Sequence, residues 1–259
     1  RGPRSLALPR WRLKVLLAAN WKMYGSPSQL AAYCEELLPK LEGGPHQVVL
    51  CPPFPLLPQA VMLCAGSELA VGAQNCHWAR EGAFTGEVSP YLLAEMGVSW
   101  VIIAHSERRK LFGETDDTAL ARAKAAQEAG LSVIFCVGET LAEREGGETL
   151  SVLQRQTAVL AGLDPQKLVI AYEPVWAIGT GHNATPAQVA EAHAFIHERL
   201  QELTGQAVPV LYGGSVKPQN AGELLATPGV AGALVGGASL DAGSFFAIIQ
   251  AAPVAGAKG

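Results

Sequence analysis

Short apolar runs recur along the chain at Val15 to Ala19, Gln47 to Cys51, Leu69 to Ala73, Trp100 to Ala104, Ser132 to Val137, Leu168 to Tyr172, Val208 to Tyr212 and Ala233 to Val235. Each is nearly continuous in Val, Ile, Leu and Ala. That pattern predicts strands buried on both faces, as in a parallel sheet covered by helices. The intervening segments are longer and rich in Ala, Leu, Glu and Gln. Ser28 to Leu41, Asp116 to Ala129, Thr149 to Gly162 and Thr185 to Leu203 read as helices. Thr115-Asp116-Asp117 opens one of them, and Thr185-Pro186 opens another with Gln188 as a capping-box partner. Gly130 and Gly205 read as C-terminal caps.

Strand starts fall roughly every 30 residues, about one βαβ unit, and no linker rich in Pro, Ser or Gly splits the series. The expectation is an α/β protein, one (β/α)8 barrel domain over residues 15–259. A doubly wound open sheet is the competing arrangement, but eight evenly spaced units fit the closed barrel better. The units share architecture without visible sequence similarity. Residues 1–14 carry Arg1, Arg4, Arg10, Arg12 and Lys14 and no acid, but Pro3 and Pro9 interrupt any amphipathic helix. This segment reads as a basic extension outside the fold, disordered or vector-derived.

Composition narrows the function classes. The chain has 259 residues, 49% of them hydrophobic, which is ample for one large core. A charged fraction of 16% and a net charge of -4 give no basic field for nucleic acid or anionic lipid. No apolar run approaches the ~20 residues of a membrane span. The cysteines Cys34, Cys51, Cys64, Cys76 and Cys136 are odd in number and never spaced as CxxC, so they read as reduced thiols in a cytoplasm.

In such barrels the chemistry sits where the strands end. Asn20-Trp21-Lys22 follows the first strand, His105-Ser106-Glu107-Arg108-Arg109 the fourth and Glu173-Pro174-Val175-Trp176 the sixth. Singly, Glu173 reads as a surface acid, His105 as a structural histidine and Lys22 as a solvated charge. Jointly, they put a base, an electrophile and a cation at the mouth of one barrel. Gly213-Gly214-Ser215 and Gly236-Gly237 follow the adjacent seventh and eighth strands. Glycines there let backbone N–H groups approach an anion, and a short helix predicted over Ser239 to Ala251 follows, so this corner reads as a phosphate site. The segment Pro174 to Ala184 reads as a lid with a stiff Pro-Val-Trp hinge. Trp176 and Ile178 would be costly there unless they pack on something.

Several longer motifs carry a resemblance. Asn20-Trp21-Lys22-Met23, Gly82-Ala83-Phe84-Thr85-Gly86-Glu87, His105 to Arg109, Cys136-Val137-Gly138-Glu139, Ala171 to Gly181, Tyr212 to Val216 and Leu234 to Leu240 occur in this order. From Ala19 to the C-terminal region the chain resembles the triosephosphate isomerase family. The resemblance implies that dihydroxyacetone phosphate and D-glyceraldehyde 3-phosphate are interconverted through an enediolate, in glycolysis and gluconeogenesis, without a cofactor or metal. It implies Glu173 as general base, His105 as a neutral donor, Lys22 and Asn20 as stabilisers of the enediolate, and Glu107 as support. It further implies that amides near Gly179, Ser215, Gly236 and Gly237 hold the phosphate and that Tyr212 bonds the closed lid near Ala177. The loop His77 to Glu87, with Thr85 at its tip, would enter a partner subunit and make a homodimer. Two departures stand out: Tyr24 where many relatives have Asn, and His182 at the second hinge where Lys or Arg is common. Neither carries the implied chemistry.

Other readings fit less of the sequence. A metal-dependent epimerase or hydrolase would need ligands that the strand ends do not supply around His105. His193 and His197 lie four apart but lack the HExxH glutamate, so they read as a helix face. A Schiff-base aldolase would use Lys22 as nucleophile. A non-catalytic phosphate-binding barrel would normally have lost the base, electrophile or lid, whereas all three are present.

Overall fold

The computed structural model describes residues 14–178 and 184–254. Within them, strands β1 (Leu16–Asn20), β2 (Gln47–Cys51), β3 (Leu69–Ala73), β4 (Trp100–Ile103), β5 (Ser132–Val137), β6 (Leu168–Tyr172), β7 (Val210–Tyr212) and β8 (Gly232–Val235) close into a parallel barrel in sequence order. Leu16 pairs with Gln47 on one side and with Gly232 on the other, so β1 seals the ring. Around it run α1 (Pro27–Leu41), α2 (Leu57–Cys64), α3 (Pro90–Met96), α4 (Ser106–Phe112), α5 (Asp116–Glu128), α6 (Leu141–Glu145), α7 (Thr149–Ala158), α8 (Pro186–Thr204), α9 (Pro218–Leu225) and α10 (Ala242–Ala251).

The continuous apolar strands are explained by two core layers. Leu16, Ala18, Val49, Ile102, Ile134, Val169 and Leu234 fill the lumen, while Leu17, Leu50, Val101, Phe135 and Ile170 point outward against the helices. Successive side chains alternate between the layers, so a strand needs apolar residues at every position.

The predicted boundaries move for local reasons. β7 starts only at Val210 because Pro209 has no N–H for the ladder; its carbonyl still accepts from Ile170 N at 3.0 Å. β4 stops at Ile103 because Ala104 is left-handed, with φ 63°. The helix from Thr149 ends at Ala158 and tightens into a 3-10 turn over Val159–Gly162. The segment from Ser239 becomes a 3-10 turn, Gly237–Ser239, followed by α10. Helices α2, α3, α4, α6 and α9 are short, of five to eight residues. The Thr185 capping box is present, with Gln188 N donating to Thr185 Oγ1 at 3.3 Å and Thr185 N to Gln188 Oε1 at 2.9 Å. Gly205 ends α8 at φ 67°, and Gly130, at φ 97°, follows the end of α5. Among the described residues no helix is long and apolar enough to cross a membrane.

Candidate active site

At the end of β1, buried Asn20 accepts the Lys22 backbone N–H on Oδ1 at 3.0 Å. Lys22 itself is left-handed, with φ 53°, a conformation that costs a non-glycine residue about 1–2 kcal/mol and must be held by its neighbours. Gln74, just past β3, does so from the other side by donating Nε2 to Lys22 O at 2.8 Å and to Cys51 O at 2.8 Å. The ammonium donates to Glu107 Oε1 at 2.6 Å. Its stem crosses the β8 turn, where a Cβ on Gly236 would lie 3.3 Å from Lys22 Cε.

At the end of β4 the left-handed Ala104 turns the chain inward. Glu114 accepts Ala104 N at 3.1 Å, and Arg109 Nε donates to Ala104 O at 3.0 Å. The turn places His105 at the N-terminus of α4, where Nδ1 accepts Glu107 N at 3.2 Å. The ring proton therefore sits on Nε2, which donates to Glu173 Oε1 at 2.9 Å.

Glu173 follows β6 and is almost fully buried. Its backbone N donates to Val137 O at 2.7 Å, while Ser106 donates from its backbone to Oε2 at 2.9 Å and from Oγ to Oε1 at 3.1 Å. Burial opposes a charge on His105, but the facing Glu173 carboxylate outweighs it and raises the imidazole above its usual value. Burial also works against the Glu173 carboxylate, yet His105 and the two Ser106 donors hold it below the ordinary range.

The two glycine turns complete the wall. Asn20, Lys22, His105, Glu173, Ile178, Ser215, Gly236 and Gly237 line one cavity of about 520 Å³. Gly213 is required for closeness, since a Cβ there would stand 2.9 Å from Glu173 Cγ. A Cβ on Gly214 would collide with Tyr212 Oη.

The triosephosphate isomerase family model matches residues 15–252, nearly the whole barrel. The chain belongs to the triosephosphate isomerase family. A relative named triosephosphate isomerase from Solibacter usitatus is 53% identical over 246 residues, covering 92% of this chain and 99% of that protein. One of the same name from Carboxydothermus hydrogenoformans is 50% identical over 248 residues, covering 92% and 98%. The crystal structure of triosephosphate isomerase from Bartonella henselae superposes with a TM-score of 0.86 at 42% identity, covering 92% of this chain and 98% of that one. Membership makes the chain an isomerase and does not favour a non-catalytic barrel.

Glu107 holds Lys22 rather than lining the cavity, and Thr85 stands on an exposed loop outside the cavity lining. Burial pushes the Tyr212 hydroxyl up to about 12, while the backbone of Ala184 hydrogen-bonds it. Gly179 and His182 lie outside the described residues. Trp176 is half-buried, as its cost at a loop tip demands: Nε1 donates to Glu139 Oε1 at 2.9 Å, and the Arg144 guanidinium covers its ring at 4.6 Å. His193 and His197 both hydrogen-bond Gly229 O, at 3.1 and 2.8 Å, on the outer layer.

Sequence reasoning passed over Ser106, Glu139, Gln74 and Glu114. The first two stood inside quoted motifs, and Glu139 is fully buried, accepting from Tyr172 Oη at 3.1 Å as well as from Trp176. Gln74 and Glu114 carried no signal beyond being polar beside strand ends.

Proposed function

We propose that the chain interconverts dihydroxyacetone phosphate and D-glyceraldehyde 3-phosphate in glycolysis and gluconeogenesis, with Glu173 as the base. The observation that carries this is the pairing of a buried carboxylate with an Nε2-protonated imidazole on the wall of a cavity that also holds an ammonium and two glycine turns.

The substrate phosphate docks on amides of Ser215, Gly236 and Gly237, with Gly179 of the lid joining them. Glu173 leaves Ser106, takes a proton from the carbon beside the carbonyl and returns it to the neighbouring carbon. His105 donates from Nε2 to the developing enediolate oxygen, and Lys22 and Asn20 stabilise its charge. Once Glu173 has moved, His105 loses the partner that raises it and keeps its burial and its Nδ1 acceptor contact. Both favour the neutral ring that this step needs. Lid closure excludes water and strengthens each contact, and Tyr212 secures the lid.

The same reading makes the chain a cytoplasmic homodimer whose catalytic barrel spans residues 15–259, with the preceding residues as an extension. Support for the dimer is the loop His77 to Glu87. Arg122 anchors its base through Cys76 O at 2.5 Å and Glu87 Oε2 at 3.5 Å, while Phe84 and Thr85 project into solvent. Met23, 93% exposed, and Tyr24, 61% exposed, offer apolar surface for a partner's loop to cover.

The test is isomerisation of dihydroxyacetone phosphate without added metal, beside Glu173→Gln. Turnover in the wild type and its loss in the variant support the reading; a folded wild type that binds phosphate and turns nothing over refutes it.

A further inference from the structure

Gln156 of α7 is 4% exposed and takes no part in the catalytic cavity. Its side-chain amide instead satisfies both backbone groups of one residue. Oε1 accepts Gly138 N at 2.7 Å, and Nε2 donates to Gly138 O at 3.2 Å. Gly138 follows β5, and its backbone lies against that of Glu173, so a Cβ on it would overlap the Glu173 carbonyl. On either side of Gly138, Val137 O accepts Glu173 N at 2.7 Å and Glu139 O accepts Val175 N at 3.1 Å. Residues 137–139 thus form a shelf carrying the backbone of the base and of the first lid hinge.

A second cavity of about 1130 Å³ opens beside this shelf, lined by Val137, Gly138, Gln156, Glu173, Val175 and Trp176 among others. Backbone that borders a cavity is packed from fewer directions, so hydrogen bonds carry more of its positioning.

We propose that Gln156 is a positioning residue for the isomerisation: by clamping Gly138 it sets where Glu173 and the lid hinge stand relative to the substrate. The proposal rests on the reading of Glu173 as the base. Because the phosphate corner is built mainly on β7 and β8, the clamp acts chiefly on the chemical step and reaches phosphate binding only through the Gly179 amide of the lid. A displacement of about 1 Å at a reacting group can cost about a hundredfold in rate.

The experiment measures kcat and KM for dihydroxyacetone phosphate, affinity for inorganic phosphate and thermal melting. It uses wild type, Gln156→Met, Glu173→Gln and the double variant. Gln156→Met keeps the length of the side chain and removes both bonds. The expected result is a kcat at least about tenfold lower, KM and phosphate affinity within about twofold of wild type, and no further loss when the change is added to Glu173→Gln. Should Gln156→Met not fold, Gln156→Glu, which keeps the acceptor for Gly138 N and loses the donor, carries the same test. A folded variant with wild-type kcat and only a lower melting temperature overturns the proposal, as does a loss that adds fully to that of Glu173→Gln. An inactive wild type overturns the assignment of the base, and the proposal with it.

Discussion

His105 Nε2 and Glu173 Oε1 stand 2.9 Å apart although their residues lie on different strand ends, and each changes the other's proton affinity. The carboxylate raises the imidazole and the imidazole lowers the carboxylate. The contact is fully present only between the two unfolded-state values, about 4.5 and 6.5. Its stabilisation is lost as pH rises through the raised value of His105, and as pH falls through the lowered value of Glu173.

Removing the charge isolates the imidazole. In Glu173→Gln, burial, Lys22 and the Glu107 N–H on Nδ1 act against the Glu107 carboxylate, and His105 should titrate below its wild-type value. A pH titration of the His105 ring nitrogens by NMR measures this. An unchanged or higher value would show that Glu173 does not set it.

His193 predicts an acid weakness away from the site. Burial pushes its imidazole down to about 4 against an ordinary 6.5, so the unfolded chain binds the extra proton in that window. Stability should fall as pH drops from about 6.5 to 4, by about 3 kcal/mol in total, and His193→Gln should flatten this slope. Urea unfolding at pH 7 and pH 4.5 compares the two; parallel losses in both proteins would exclude His193 as the cause.

Gly213 is a steric requirement of the base. Gly213→Ala puts a methyl 2.9 Å from Glu173 Cγ, whereas a Cβ on Gly237 meets nothing within 4 Å. Displacing the carboxylate should lower kcat about a hundredfold in Gly213→Ala, with melting temperature changed little. Equal kcat in variant and wild type would mean that the carboxylate moves aside freely.

Gln74 should matter through Lys22. Gln74→Met removes the donor to the Lys22 carbonyl and frees a left-handed residue to relax, moving the ammonium off its place over Gly236. Because Lys22 stabilises the charge of the enediolate, kcat should fall about tenfold. Steady-state kinetics of the variant measure this; a wild-type kcat would show that the left-handed turn holds without Gln74.

Much of this molecule is written locally. Apolar strands, a capping box at Thr185 and glycine at the end of α8 all follow from neighbours within a turn or a strand length. Lys22, His105, Glu173 and the glycine turns were also legible, because barrel topology sends every strand end to one rim. Ser106 shows the limit. It lies beside His105 in the same motif, yet its two bonds go to Glu173, 67 residues away.

By itself, then, the sequence determined the eight units, their order and which residues reach the mouth of the barrel, since those depend on periodicity and turn chemistry along the chain. Tertiary structure alone decided that Lys22 and Ala104 adopt left-handed backbone, that Gln74 and Gln156 clamp other segments, and that Glu173 rests between Ser106 and His105. Those features arise from contacts between segments distant in sequence, which exist only once β1 has closed against β8 and brought the strand ends to a common rim.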